Sequence, residues 1–226
     1  MSETAPRVFL YALLAGLSPL ALLAALAALG SGRGRVNGTA FAFAFLIAQS
    51  IVLVVAFFFG SAAAPDDDDS QRMVVTTLEL VLGALLLVFA VHGLVVHNAA
   101  QPVERSRTEA VLARLRTLRP TTAFSIGSLL GVGGIKRLSI TLIAGATIAI
   151  PPLERSEEAA LALLYIVVAT LLVWLPVALY LIAGTRADRA TARSESWLIR
   201  NEGPVTSATM LVFGAALSVD ALVRLL

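Results

Sequence analysis

TAFSIGSLLGVGGIKRLSITLIAGATIAI, residues 122–150, has the length and apolarity of a membrane-spanning helix but the wrong middle for a plain one. Gly131, Gly133 and Gly134 loosen the backbone there, and Lys136 and Arg137 follow at once. A cation near the centre of a hydrocarbon layer costs about 3 kcal/mol on insertion scales. An intramembrane charge is therefore read first as a functional site facing a bundle interior or a wet cavity. The structural alternative is that both side chains snorkel to the interface or pair with a buried acid. Of the 17 basic residues in the chain, Lys136 is the only lysine.

The surrounding composition agrees with a bilayer setting. The chain has 226 residues, of which 58% are hydrophobic and 14% charged, whereas soluble domains carry about 25% charged residues. It is read as an integral membrane protein of one domain, 1–226, with no room for a soluble domain beside it. Apolar runs lie at about 8–29, 39–60, 74–97, 122–150, 159–183 and 204–225. Each meets the ~20 residues that a span requires. The expected architecture is all-α, with six transmembrane helices. Ala25-Leu26-Ala27 resembles a signal-peptide cleavage site, but the run from Val8 to Leu29 is long for a signal core, so a retained first helix is expected. With no cysteine, disulfides, thiolate metal sites and cysteine nucleophiles are excluded.

Orientation follows from the basic residues in the connections. The stretches 30–38, 98–121 and 184–203 hold eleven arginines, and the other face holds four: Arg7, Arg72, Arg155 and Arg224. The richer face is cytoplasmic by this rule, which places both termini outside. Within 98–121, Leu112, Leu115 and Leu118 recur among arginines, as in a short basic amphipathic helix at the inner surface. Trp197-Leu198-Ile199 reads as a second interfacial anchor. Asp66 to Asp69 form a solvated charge run without the spacing or turn glycine of a calcium loop.

The interruption in 122–150 has an echo in the first apolar run, at Gly16-Leu17-Ser18-Pro19. Proline inside a helix removes a hydrogen bond and opens the preceding turn. Both interruptions lie about halfway along their runs, and three spans separate them, an odd number, so the two halves run in opposite senses. The expected arrangement is two inverted three-helix repeats, 1–97 and 122–226, joined by the linker 98–121. Broken helices at corresponding positions of inverted halves point to a binding site between them near the membrane midplane. Helix two has only Gln49-Ser50 in the comparable place, and Pro176 marks a further kink in helix five. The GxxxG step Gly127–Gly131 and the Ala12–Gly16 pair support close helix contact, either within one chain or as a homodimer seam.

Other ionisable groups inside the spans are few. Glu79 and Asp220 each sit about 8 Å inside the outer face, and Lys136 and Arg137 about 15 Å deep, by the helical rise. Either carboxylate could pair with Arg137. His92 and His97 point ~140° apart on a regular helix and cannot share a metal; His92 is a candidate proton carrier or a packed, hydrogen-bonded core residue. No HExxH, GxSxG or P-loop pattern occurs. An enzyme, a bound metal, a cofactor, ATP coupling and a nucleic-acid partner are therefore not expected.

A further signal is the combination of six spans, a proline break in helix one, Phe124-x-x-Gly127-x-Leu129-Leu130-Gly131-Val132-x-x-x-Lys136 in helix four, and the Trp197 basic loop. This combination resembles the GAP family of actinobacterial proteins, named for addressing peptidoglycolipids and sulfolipids to the cell surface, within the lysine exporter (LysE) superfamily. Relatives carry Asp-Ser and Asn-Pro in helix one and Asn-Pro-Lys in helix four. Here the proline and the lysine persist as Pro19 and Lys136, while the acid and both asparagines are absent. The resemblance implies export or lipid translocation, with Lys136 as an anion contact.

Together these features predict a secondary transporter or lipid-export protein that moves an anionic lipid or small solute outward. Lys136 and Arg137 would supply charge, and Ser18, Pro19, Gly16, Gly133 and Gly134 the opened backbone and hydrogen bonds; Lys136 is expected to line the site and Arg137 to hold a structural pair with Glu79 or Asp220. The competing readings are a LysE-type amino-acid or ion exporter, and a scaffold that engages a lipid synthase or transporter through its basic loops.

Overall fold

A computed structural model describes residues 4–62 and 119–183 throughout, with scattered helical positions at 73–91 and 194–219. No strand occurs among the described residues. Six helices are resolved along the two continuous stretches: α1 (Thr4–Gly16), α2 (Pro19–Leu29), α3 (Gly34–Ala62), α4 (Pro120–Val132), α5 (Ile135–Ala149) and α6 (Arg155–Ala183). α3 and α6 are each long and apolar enough to cross a membrane. At 29 residues each, they extend about 43 Å, which exceeds the ~30 Å of hydrocarbon and accommodates tilt. The pairs α1–α2 and α4–α5 are bent by 57° and 60°, and each qualifies as one broken span or as a re-entrant loop. The described residues thus hold two to four candidate spans. The expected third and sixth spans lie largely outside the described residues, as do Asp66 to Asp69 and nearly all of the linker 98–121.

Both breaks have local causes. Pro19 has no backbone N–H to continue α1, and its ring drives Ser18 out of the helical region. Ser18 accordingly adopts φ −124°, ψ 97°, and its Oγ accepts a hydrogen bond from Ala21 N at 3.4 Å. Proline is thus the first residue of a new, capped helix rather than a kink within an old one. At the second break Gly133 has φ +83°, a backbone region that favours glycine. Gly134 then caps α5 in an extended conformation, with no side-chain partner. Gly131, expected to loosen this turn, is instead helical and buried within α4. Pro176 lies inside α6, which runs through it from Arg155 to Ala183.

The packing is crossed. α3 lies against both halves of the second broken pair, α4 and α5, while α6 lies against both halves of the first, α1 and α2. Small residues permit these approaches. A methyl group at Gly127 would collide with the backbone of Phe41, and one at Gly131 would meet the Phe45 carbonyl at 2.6 Å. The GxxxG face is therefore filled by α3 of the same chain, so a homodimer would need another surface. Gly16 similarly lies against the Val168 and Ala169 backbone of α6.

Two apolar cores result. One gathers Tyr11, Leu14, Leu53, Ile140, Ile148 and Leu161 with Tyr165; the other gathers Leu23, Leu29, Phe41, Phe45, Val173 and Val177. α3 supplies Phe41, Phe45, Gln49 and Leu53 at four-residue spacing along one buried face, so Gln49 falls at the boundary between the cores. Its opposite face exposes Phe43, Ile47, Ile51, Phe58 and Phe59, as suits a helix whose outer solvent is hydrocarbon.

Candidate functional site

The two breaks meet. Lys136, in the first turn of α5, donates from Nζ to the carbonyl of Leu17 at 3.3 Å. Leu17 is the residue between α1 and Ser18, and its carbonyl is one of those that the proline break frees from the helical ladder. The side chain of Lys136 is partly buried. One ammonium thus ties the interruption of the first broken helix to that of the second. Ser18 and Pro19 are likewise half-buried at this junction, Gly16 is buried, and Gly134 is exposed.

Arg137 turns the other way. Successive residues of a regular helix point about 100° apart, and α5 is regular from Ile135 onward. The stem of Arg137 runs back beside Gly133, where a methyl group would meet its Cδ at 2.6 Å. Its guanidinium carbon lies 4.5 Å from the centre of the Phe45 ring. Nη1 donates to Gln49 Oε1 at 3.5 Å, the outer limit for such a bond, and Nη2 is buried without a hydrogen-bond partner. The residue as a whole is only 5% exposed.

A closed polar network holds Gln49 in place. Its Nε2 donates to Thr141 Oγ1 at 2.9 Å. The Thr141 hydroxyl donates to the Arg137 carbonyl at 2.8 Å and lies 2.8 Å from Tyr165 Oη. A threonine has one proton to give. With that proton on the Arg137 carbonyl, Tyr165 is the donor to Thr141. Thr141 Oγ1 then accepts twice and is saturated, which fixes the Gln49 amide with its oxygen toward Arg137. Gln49, Thr141 and Tyr165 are each fully buried, where an unsatisfied polar group would cost about 1–3 kcal/mol.

The charge on Arg137 is less well provided for. A cation–π contact with Phe45 offers about 0.5–2 kcal/mol, and a long bond to a neutral amide adds little. The described carboxylates, Glu154, Glu157 and Glu158, cluster at the start of α6, and no ion pair to Arg137 occurs among the described residues. Glu79 and Asp220, expected to pair with it, and His92 and His97 lie outside the described residues.

Among the residues picked out in the sequence, the structure links Lys136 to Leu17, the neighbour of Gly16 and Ser18, and directs Arg137 toward α3; Gly133 lies against the Arg137 stem and Gly134 is open. Sequence reasoning missed Thr141 and Tyr165 and left Gln49 without a role. A signal existed for Thr141, which follows Arg137 by four residues and so lies on the same helix face. Tyr165 was hidden in an apolar stripe of α6 that also carries Leu161, Ala169, Val173 and Val177.

No curated protein and no solved structure matches the chain. A family model does match, across residues 8–222, nearly the whole length. The chain belongs to the family described as Sap, sulfolipid-1-addressing protein.

Proposed function

We propose that this membrane protein carries out lipid export, moving an anionic amphiphile outward through a site where its two broken helices meet. The observation that carries this reading is the bond from Lys136 Nζ to Leu17 O, which joins the two interruptions. The family description supports a role in lipid addressing. The crossed packing, with each long helix against the other half's broken pair, is what two inverted repeats would produce, and broken helices in such repeats mark substrate sites. Helix ends supply complementary charge at the junction: the C-terminus of α1 is a partial negative and the N-terminus of α5 a partial positive. The ammonium of Lys136 bridges these ends at rest. An anionic headgroup drawn to the N-terminus of α5 would weaken the hold of that ammonium on Leu17, which links binding to a loosening of the junction.

Lys136→Met tests the reading. The variant removes a charge that costs free energy in hydrocarbon, so it should insert and fold, with an unchanged or higher Tm in detergent. Surface-lipid profiles of cells carrying the variant should match those of cells lacking the protein, while Arg114→Gln with Arg116→Gln in the linker should leave the profile intact. A normal surface profile in Lys136→Met would overturn the proposal.

A further inference from the structure

We propose that Arg137 is the headgroup contact of this site, an oxyanion subsite that Gln49, Thr141 and Tyr165 hold in register, and that it takes a sulfate or phosphate ester. The inference rests on the export reading and deepens it by dividing the two cations into different roles. Lys136 is occupied by a backbone carbonyl of the opposite break. Arg137 instead presents a buried Nη2 with no partner, beside a side-chain amide whose oxygen is turned toward it.

Three features favour an oxyanion over any other occupant. A guanidinium offers a planar fork that matches two oxygens of a sulfate, phosphate or carboxylate group. The fork lies at the N-terminal turn of a 15-residue helix, where the first backbone N–H groups have no intrahelical acceptor and favour negative charge. The ladder of α5 begins with Leu138 N to Gly134 O, and Gly134 is exposed with open space where a side chain would stand. The approach to the turn is thus on the Gly134 side, and Gly133 and Gly134 are the residues whose rotation would uncover Arg137. Gln49, Thr141 and Tyr165 are positioning residues. Their hydrogen bonds are closed among themselves and the Arg137 carbonyl, which leaves the guanidinium as the member with donors to spare.

A binding measurement in neutral maltoside detergent separates this inference from the export reading, because it does not depend on transport. The probes are octyl sulfate and octyl phosphate below their micellar concentrations, with octyl glucoside as the uncharged control. The wild-type chain should show a saturable rise in Tm with at least one ester and none with the glucoside. Gln49→Glu sets a carboxylate within reach of Nη1 and should fill the fork from inside, raising the half-saturating ester concentration about tenfold or more. Arg137→Lys keeps the charge but loses the fork, and should weaken the response in the same way even if Gln49→Glu folds poorly. Two results would overturn the proposal: no saturable response of the wild type to either ester, or wild-type half-saturation in folded Gln49→Glu and Arg137→Lys. If the ester response follows the expected pattern while Lys136→Met still exports, the subsite stands and the export mechanism fails.

Discussion

Gly133 and Gly134 are adjacent and chemically identical, yet their surroundings assign them opposite tolerances. Gly133 has φ +83°, and a methyl group there would press into the Arg137 stem. With ψ 176° this is a region used almost only by glycine, costing another residue about 1–3 kcal/mol, and the steric clash adds to it. Gly133→Ala should therefore lower the Tm and also shift Arg137. Gly134 has φ −80° and ψ 178°, with nothing near its missing side chain. Gly134→Ala should be neutral or stabilising by about 0.4–1 kcal/mol, by restricting the unfolded chain. Equal losses for both variants in detergent melts would show that the break does not have this geometry. Tyr165→Phe belongs at the same scale. It takes the donor from one side of Thr141 and should cost about 1 kcal/mol of stability, read as a fall in Tm.

At the scale of the element, a broken helix is two helices with separate ends to satisfy. α2 begins with a serine cap and a first-position proline, so its start is encoded locally. Ser18→Ala should cost about 0.5–2 kcal/mol of stability by the usual price of a lost cap. α5 has no such cap, and its first turn carries Lys136 and Arg137 where a soluble helix would favour acids. The proposed anion site would account for that mismatch, since a bound oxyanion would supply the missing negative charge. The seam between α3 and α4 is a different kind of feature. Gly127→Leu would force a side chain into the Phe41 backbone and should destabilise by about 1–3 kcal/mol or more. Leu129→Ala, on a side chain 72% exposed, should change the Tm little. If the two melt alike, α4 does not pack on α3 through its glycines.

For the whole molecule, orientation comes from charge and not from packing. The eleven-to-four distribution of arginines predicts a cytoplasmic linker and outside termini. The chain has no cysteine, so single cysteines can be introduced without background. An impermeant thiol reagent added to intact cells should label Asp68→Cys and Leu226→Cys strongly and Thr108→Cys only after lysis. The reverse pattern would invert the orientation, and labelling of all three would break the expected count of spans between them.

The amino-acid sequence by itself determined the membrane setting, the family and the positions of both breaks, since apolar run length, a proline and a glycine pair are properties of neighbouring residues. It singled out Lys136 and Arg137 as candidates because charge in an apolar run is costly wherever it points. What only the tertiary structure decided is where each charge goes. Lys136 reaches Leu17, 119 positions away along the chain, and Arg137 reaches Gln49, 88 away. Neither partner is marked locally: a backbone carbonyl carries no side-chain signature, and a lone glutamine in a span reads as helix glue. Thr141 and Tyr165 joined the site through the same long-range packing of α3, α5 and α6. The GxxxG step was legible as a close contact, but whether it faced the same chain depended on the path of α3, because small residues permit an approach without specifying the partner.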